Sequence, residues 1–400
     1  MQSLAGIVKH YDWGSTDAIP ALLSQPGDGQ PWAEYWLGTH AAGPAVLRDD
    51  AGTALDAWLQ THDDALGATE RDAFGRQLPY LLKILAADQP LSLQAHPSRE
   101  QAEAGFADEQ ARGVPLDDPT RSFADAWPKP EMLVALTDFE ALSGFRDPAE
   151  TLLLFEALGV DDDIVKPVIG PLRYREGAAA LAEVFLDCLT MDGTRRAILD
   201  EVLAAAVRHV GDDGDVGQFA RLAVTLDEYH PGDPSLLAAL LLNHVTLAPG
   251  QGLHNDAGVL HSYLKGTGIE IMACSDNVLR AGLTTKHVDH AALTRIVDFT
   301  PAPPAIVQPV AAGPSVWDYP ADDPEFHLWR LGPTPDADPV PLPGAGLGRI
   351  VLVIDGHLAV TGDDGDELEL VKGQSAFIGA GEPATMTGDA EAFLAASGMT

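Results

Sequence analysis

A short stretch at residues 91–97, Leu-Ser-Leu-Gln-Ala-His-Pro, carries two side chains that can bind a metal ion. Apolar and polar residues alternate there, which predicts a strand that ends near Pro97 because proline donates no ladder hydrogen bond. Side chains two positions apart point to the same face of a strand, so Ser92, Gln94 and His96 share the polar face. An ordinary solvated sheet face shows the same alternation. Other segments therefore have to decide whether this strand forms part of a site.

Lys129 and Glu131 flank a proline and lead directly into the apolar run Met132–Leu136. In an extended segment these two side chains point to the same side. A surface ion pair would account for them, but a carboxylate beside a buried run is usually paired or bound to a metal. Glu131 is therefore a candidate metal ligand.

Residues 253–286 contain a second group of side chains that can do chemistry. His261 and Tyr263 share one face of a predicted short strand, and Glu270 lies in the alternating segment Gly268–Ala273. A polar loop follows, and it contains Asp276, Asn277 and Arg280, with Lys286 just beyond. Two cations this close together in a strongly acidic chain indicate an anion-binding site, although a surface network of Lys, Asp and Arg would give the same composition.

Four of these side chains form a candidate metal set, namely Gln94, His96, Glu131 and His261. Two imidazoles and a carboxylate suit zinc, and a neutral amide oxygen from glutamine would leave a net positive centre. Glutamine is an uncommon zinc ligand, and spacing along the chain does not bring these residues together in space. The residue types suggest zinc without establishing it.

The elements that must position these side chains fall into three groups. Residues 1–146 and 245–300 contain strand-like segments, whereas residues 147–244 have apolar residues at helical spacing. Residues 301–400 contain short strands separated by Gly, Asp and Pro turns, which is typical of a small sandwich or barrel. The sequence therefore predicts a mainly β protein with an inserted α-helical domain. We find no reactive group of residues in the helical part.

A lone cation, Lys83, interrupts the buried run Leu78–Ala86 just before the first candidate segment. Lysine in such a run usually extends its amine to the surface. A cation pointing into a cleft is an equal alternative, and the sequence leaves both interpretations open.

Composition limits the compartment and the partners. The formal net charge of −36 opposes binding of nucleic acid or of an anionic membrane through the general surface. Only two cysteines occur, Cys188 and Cys274, so we expect no disulfide framework and a reducing cytoplasm. The first residues lack a basic region followed by a long apolar run, so we expect no secretory signal. The most apolar stretch, Leu236–Leu242, is too short to span a bilayer.

Five segments, in this order, resemble the type I mannose-6-phosphate isomerases of the cupin superfamily. They are YDWGS at 11–15, YWLGTH at 35–40, QAHP at 94–97, KPEM at 129–132 and IEIMACSDNVLRAGLTTKHVD at 269–289. The last is long and specific, and with the β-rich tail the resemblance covers nearly the whole chain. It implies two cupin-type jelly-roll barrels with a helical domain inserted, one Zn²⁺ per chain, a sugar-phosphate substrate and a monomer.

The resemblance also assigns residues. It places the zinc ligands on Gln94, His96, Glu131 and His261, and an essential arginine on Arg280. It places further pocket residues on Lys83, Ser92, Lys129, Tyr263, Glu270, Asp276 and Lys286. His254 is a rival for His261, but the surrounding sequence HSYLKGTGIEIMA favours His261.

The implied reaction interconverts mannose 6-phosphate and fructose 6-phosphate through an enediol(ate). A base must take a proton from the carbon beside a carbonyl and return it to the neighbouring carbon, so it must be a group that titrates or a metal-activated water. Glu270 is the first candidate and Lys129 the second. Arg280 stays protonated and suits electrostatic stabilisation, while Lys83, Ser92 and Lys286 are candidates for phosphate or hydroxyl contacts.

Two functions of other classes stay open at this point. One is a non-catalytic cupin protein that binds sugar phosphates, and the complete ligand set argues against it. The other is a cupin oxygenase that holds iron with two histidines and a carboxylate. The segment SDNVLRAGL at 275–283 argues against the oxygenase.

Overall fold

The structure is a computed structural model that describes residues 1–48, 51–190 and 196–399. Within those ranges the protein is built mainly on β-sheet, with 21 strands and twelve helices. The strands are β1 (Gln2–Ala5), β2 (Ile7–Lys9), β3 (Glu34–Gly38), β4 (Val46–Leu47), β5 (Tyr80–Ala87), β6 (Leu93–Ala95), β7 (Glu131–Ala135), β8 (Phe139–Phe145), β9 (Leu242–Leu247), β10 (Gly252–Asn255), β11 (His261–Ala273), β12 (Leu279–Gly282), β13 (Ile306–Val307), β14 (Val310–Gly313), β15 (Val316–Tyr319), β16 (His327–Leu331), β17 (Val340–Pro341), β18 (Arg349–Gly362), β19 (Glu367–Val371), β20 (Ser375–Ile378) and β21 (Ala384–Ala396).

The helices are concentrated in one part of the chain. They are α1 (Ala18–Leu22), α2 (Leu55–Leu59), α3 (Ala68–Phe74), α4 (Arg99–Ala111), α5 (Pro148–Ala157), α6 (Asp162–Ile169), α7 (Pro171–Tyr174), α8 (Gly177–Leu189), α9 (Arg196–His209), α10 (Gly214–Tyr229), α11 (Ser235–Ala239) and α12 (His290–Ile296). Helices α5 to α11 follow one another between β8 and β9, which pair with each other. The helical segment therefore leaves and rejoins the sheet at adjacent strands.

The first sheet is antiparallel and has the order β13-β10-β7-β11-β5-β3-β2, and β6, β8, β9 and β12 extend it through further pairings. β11 pairs with β6 near its start and with β5 and β7 along the rest of its length. His261 thus lies opposite Gln94, and Glu270 lies opposite Lys83. A single long strand brings segments that are far apart in sequence to one place.

The second sheet contains the C-terminal strands in the order β14-β15-β16-β21-β18-β20-β1-β4, with β17 and β19 at its sides. In the described ranges neither sheet closes into a barrel. The two sheets exchange short strands, because β1 and β4 from the N-terminal part join the C-terminal strands and β13 joins the first sheet.

β6 is shorter than the predicted strand, since only Leu93–Ala95 pair regularly. Leu91 still donates its backbone N–H to the carbonyl of Tyr263 at 2.8 Å. Proline residues bound the segment at 90 and 97 and cannot donate ladder hydrogen bonds, which accounts for its short length. His96 consequently lies just beyond the end of the strand.

The helical segment packs directly against β12. Gly282 has a φ of +140°, and a Cβ atom at this position would lie 2.1 Å from the Cβ of Ser235 at the start of α11. The Ser235 hydroxyl also accepts a hydrogen bond from the backbone N–H of Leu283 at 2.7 Å. Cys188 is fully buried among the apolar residues of these helices. Among the described helices, none is both long and apolar enough to cross a bilayer.

Candidate metal centre and its cavity

His96, Glu131 and His261 come together at the centre of the first sheet. The nitrogen and oxygen atoms that could bind a metal lie within 4.8 Å of one another. His96 follows β6, Glu131 opens β7 and His261 opens β11. All three side chains are at most 1% exposed, so the cluster is shielded from water.

Hydrogen bonds to backbone carbonyls fix how the two imidazoles are protonated. His96 Nδ1 lies 2.8 Å from the carbonyl oxygen of Asn277, and His261 Nδ1 lies 2.9 Å from that of Val259. A carbonyl oxygen only accepts, so each neutral imidazole carries its proton on Nδ1 and has a lone pair on Nε2.

Both of these Nε2 atoms face the Glu131 carboxylate. His261 Nε2 lies 2.8 Å from Oε1, and His96 Nε2 lies 3.2 Å from Oε2. The His261 Nε2 is buried, and no described residue donates a hydrogen bond to it. Two lone pairs and a carboxylate that converge in a buried site attract a cation, and two imidazoles with one carboxylate are a donor set that zinc prefers. The residues therefore fit a zinc ion.

The pKa values of the cluster also favour metal binding. Burial, together with the ammonium of Lys129, lowers the pKa of His96 to about 4, so this imidazole is neutral at pH 7 and can act as a ligand. Burial alone would raise the pKa of Glu131, but the ammonium of Lys129 holds it well below the usual value. Lys129 Nζ lies 2.7 Å from Glu131 Oε2 and 3.2 Å from His96 Nε2.

Gln94, the predicted fourth ligand, lies between two other predicted site residues on the paired strands. It lies opposite His261 on one side and opposite Arg280 on the other. Residues directly opposite each other on paired strands project from the same face, so these three side chains form a row. Gln94 is partly exposed to the cavity above the cluster.

A cavity of about 610 Å³ lies above the cluster. Ten of the twelve predicted site residues line it, and the two histidines are buried beneath it. The ten are Lys83, Ser92, Gln94, Lys129, Glu131, Tyr263, Glu270, Asp276, Arg280 and Lys286. The structure thus brings the whole predicted set to one place.

Lys83 lies in the cavity wall and does not extend to the surface, which decides between the two interpretations left open by the sequence. Its Nζ lies 2.8 Å from Glu270 Oε2 and 3.4 Å from Glu34 Oε1. Burial alone would lower the pKa of Lys83, but these carboxylates raise it above the usual value. Burial raises the pKa of Glu270, and the ammonium of Lys83 limits this rise. The Trp36 indole N–H also donates to Glu34 at 2.7 Å.

Arg280 and Lys286 provide positive charge at the rim of the cavity. Among the described residues, neither has a carboxylate within 4.0 Å. The adjacent charge of Arg280, followed by burial, lowers the pKa of Lys286. Asp276 on the same side lies 3.2 Å from His40 Nε2, and this histidine lowers its carboxyl pKa. Two neighbouring cations without a carboxylate partner can receive an anion.

Tyr263 and His254 have separate positions. The Tyr263 hydroxyl donates to Glu131 Oε1 at 3.2 Å and therefore orients this carboxylate. His254 Nε2 lies 2.7 Å from Asp323 Oδ2 and takes no part in the cluster. The structure therefore places His261, and not its rival His254, beside Glu131.

Glu34, Tyr229 and His230 also line the cavity, and the sequence analysis did not single them out. Glu34 follows Ala33 in a strand rich in aromatic residues, and its isolated charge there was an available signal. Tyr229 and His230 come from the C-terminal end of α10, within the segment that we considered unreactive. Nothing in their local pattern points to a site, because only the packing of α11 against β12 brings them to the cavity.

Comparisons with known proteins agree with this architecture. A family model described as "Phosphomannose isomerase type I, catalytic domain" matches residues 1–148. The mannose-6-phosphate isomerase of Escherichia coli (strain K12) is 35% identical over 396 residues, which are 97% of each chain.

Solved structures cover nearly the whole chain as well. The crystal structure of a mannose 6-phosphate isomerase described as holo and zinc-bound is 32% identical and has a TM-score of 0.88, with 99% of each chain covered. A variant of phosphomannose isomerase from Salmonella typhimurium is 32% identical, with a TM-score of 0.89 and the same coverage.

The fold and the site together are those of one class of protein, the metal-dependent sugar-phosphate isomerases. More particularly, full-length identity at this level shows that the chain belongs to the type I mannose-6-phosphate isomerase family.

Proposed function

We propose that this protein interconverts D-mannose 6-phosphate and D-fructose 6-phosphate and that it depends on one zinc ion per chain. The observation that carries the proposal is the buried cluster of His96, Glu131 and His261 beneath a cavity whose wall holds the Lys83–Glu270 pair. The names of the relatives supply the substrate.

His96, Glu131 and His261 would hold the metal, with the Gln94 amide oxygen as the fourth ligand. Zinc, when bound, supplies Lewis-acid stabilisation of negative charge on substrate oxygen, an effect of several kcal/mol in metalloenzymes. Lys129 and Tyr263 each donate a hydrogen bond to one of the two oxygens of the Glu131 carboxylate. They keep this ligand oriented while substrate enters and leaves.

Glu270 is the proposed base that moves the proton between the two carbons through an enediol(ate). A base works best when its pKa approaches the working pH, and burial raises the pKa of Glu270 towards it. Lys83 holds the carboxylate in place and remains protonated beside it. Lys129 is the second candidate, although its contact with Glu131 favours the positioning role.

Arg280 and Lys286 are proposed to neutralise the anionic parts of the substrate. Arg280 lies in the row with Gln94 and His261, so its guanidinium can stabilise charge that develops near the metal. Lys286, with Ser92 and Lys83, is proposed to contact the phosphate or the hydroxyls, since hydrogen bonds to charged groups contribute about 1.5–3 kcal/mol each. Asp276, held by His40, is proposed to accept a hydrogen bond from a sugar hydroxyl.

For the architecture, we propose a catalytic cupin-type unit of residues 1–146 and 245–300, an inserted helical domain of residues 147–244, and a second cupin-like β domain of residues 301–400. The pairing of β8 with β9 on either side of the helices supports the insertion. We further propose that the protein is a cytoplasmic monomer.

An anaerobic assay of mannose 6-phosphate conversion, before and after chelation and with metal analysis of the same sample, tests the function. We expect conversion without oxygen, loss of conversion on chelation and recovery on adding zinc. Binding of the sugar phosphate without turnover in the metal-loaded protein would contradict the proposal in favour of a non-catalytic protein. A requirement for oxygen would point to an oxygenase.

A further inference from the structure

We propose that Asn277 is a positioning residue that sets the affinity of the metal centre by holding the backbone carbonyl that orients His96. The inference rests on the metal binding in the proposed function. It begins from the 2.8 Å hydrogen bond that His96 Nδ1 donates to the Asn277 carbonyl oxygen. A partner that fixes the non-ligating nitrogen determines both the tautomer and the ring orientation of a metal-binding histidine.

The Asn277 side chain anchors this carbonyl to another segment of the chain. Its Nδ2 donates to the carbonyl oxygens of Trp127 at 2.8 Å and of Asp125 at 2.9 Å. Its Oδ1 accepts from the backbone N–H of Ala124 at 2.8 Å. Asn277 is completely buried, so water cannot replace these partners. An amide is required because the side chain must donate to carbonyls and accept from an N–H at the same time.

Asp125 completes the connection from the opposite side. Its Oδ1 accepts from the Ser275 hydroxyl at 2.9 Å, and its Oδ2 accepts from the backbone N–H of Asp276 at 2.9 Å. The segment that Asn277 binds, residues 124–127, leads directly to Lys129 and Glu131. Asn277 therefore connects three parts of the site. It orients His96, it holds the segment that leads to Glu131, and it lies just before β12, which carries Arg280.

This arrangement predicts an effect on metal affinity that a general loss of stability would not produce. Asn243 offers a control of the same residue type, because its Nδ2 likewise donates to backbone carbonyl oxygens, those of Ser143, Gly144 and Ala302, each at 3.0 Å. Neither ligand histidine forms a hydrogen bond with Asn243 in the described structure.

The experiment compares Asn277→Ala, Asn243→Ala and the wild-type full chain. Zinc dissociation constants are measured by competition with a chromogenic chelator, d–d spectra are recorded with Co²⁺ as the probe, and thermal denaturation of the apo proteins reports stability. We expect about a 10–100-fold weaker zinc affinity and an altered Co²⁺ spectrum in Asn277→Ala, with wild-type values in Asn243→Ala.

Wild-type affinity and spectrum in a folded Asn277→Ala variant would overturn the inference, as would an equal change in Asn243→Ala. If Asn277→Ala does not fold, Ser275→Ala decides, since it removes only the hydroxyl that links Asp125 to the backbone N–H of Asn277. Several-fold weaker zinc binding in Ser275→Ala supports the inference, and unchanged binding overturns it. Failure of the proposed function is distinguished by the wild-type protein, which would then bind zinc without converting mannose 6-phosphate.

Discussion

Lys83 Nζ lies 2.8 Å from Glu270 Oε2, and both side chains are buried in the wall of the cavity above the metal centre. The two residues face each other across β5 and β11. A carboxylate held in this way is available to a substrate but cannot turn away from it, because its partner is fixed in the middle of the sheet. This pair is the basis of the proton-transfer role assigned to Glu270.

Replacement of the proposed base should stop proton transfer and leave the metal in place. We expect Glu270→Gln to lower kcat at least about 100-fold, the usual contribution of general base catalysis, with zinc content unchanged. Turnover and deuterium incorporation from solvent at the reacting carbons would measure this. Glu34→Gln is the control, since it removes the other carboxylate beside Lys83 and should cause a much smaller loss. Near-normal turnover in Glu270→Gln would move the role to Lys129.

The pH profile should report the raised pKa of Glu270. The base must be ionised, so kcat/KM should fall as the pH drops through this pKa, at a higher pH than for an ordinary carboxyl group. Lys83→Met removes the cation that opposes the rise and should move the acid limb to higher pH by about one unit or more.

Lys9→Met is the control for the pH profile, because Lys9 is another cation beside the ring of Trp36, its Nζ donates to the carbonyl oxygen of Ala42, and among the described residues it forms no ion pair with Glu270. We expect its profile to match that of the wild type. An acid limb that stays in place in Lys83→Met would show that another group controls it.

Arg280 should act on turnover and not on metal retention. We expect Arg280→Ala to lower kcat by about 100-fold or more, because a preorganised donor aimed at developing charge is lost, while zinc content stays near one per chain. Kinetics and metal analysis on the same preparation measure both quantities. Equal loss of zinc and of activity would mean that Arg280 has a structural role through its pairing with Gln94.

The two rival histidines give a direct comparison at the metal. We expect His261→Ala to lose zinc on dialysis, since it removes one of three converging ligands. His254→Ala should retain zinc, since His254 pairs with Asp323 and lies outside the cluster. Metal content after dialysis is the measurement, and retention by His261→Ala with loss by His254→Ala would reverse the assignment.

Local patterns in the sequence indicate part of this site. The alternation around Gln94 and His96 can be recognised from residues adjacent in the sequence, and so can the polar loop before Arg280. Their convergence with Glu131 and His261 depends on the register of β11, which pairs with strands from distant parts of the chain. No local pattern encodes that register. Before the structure, only the family resemblance predicted that these residues form one site.

Lys83 and His230 illustrate the two limits of the sequence analysis. The position of Lys83 could not be decided, because it depends on β5 lying between β3 and β11, where a lysine has no path to the surface. His230 was missed entirely, since it reaches the cavity only through contacts between the helical segment and β12. The positions of both side chains are determined by packing between helices and strands, and not by the residues adjacent to them in the sequence.

Titration of the metal-free protein with zinc tests the central claim most directly, by following conversion of mannose 6-phosphate at each addition. The site described here predicts no conversion without metal, a linear rise with added zinc and a plateau at one equivalent per chain. Full activity in the metal-free protein, or zinc binding at one equivalent with no conversion, would contradict it.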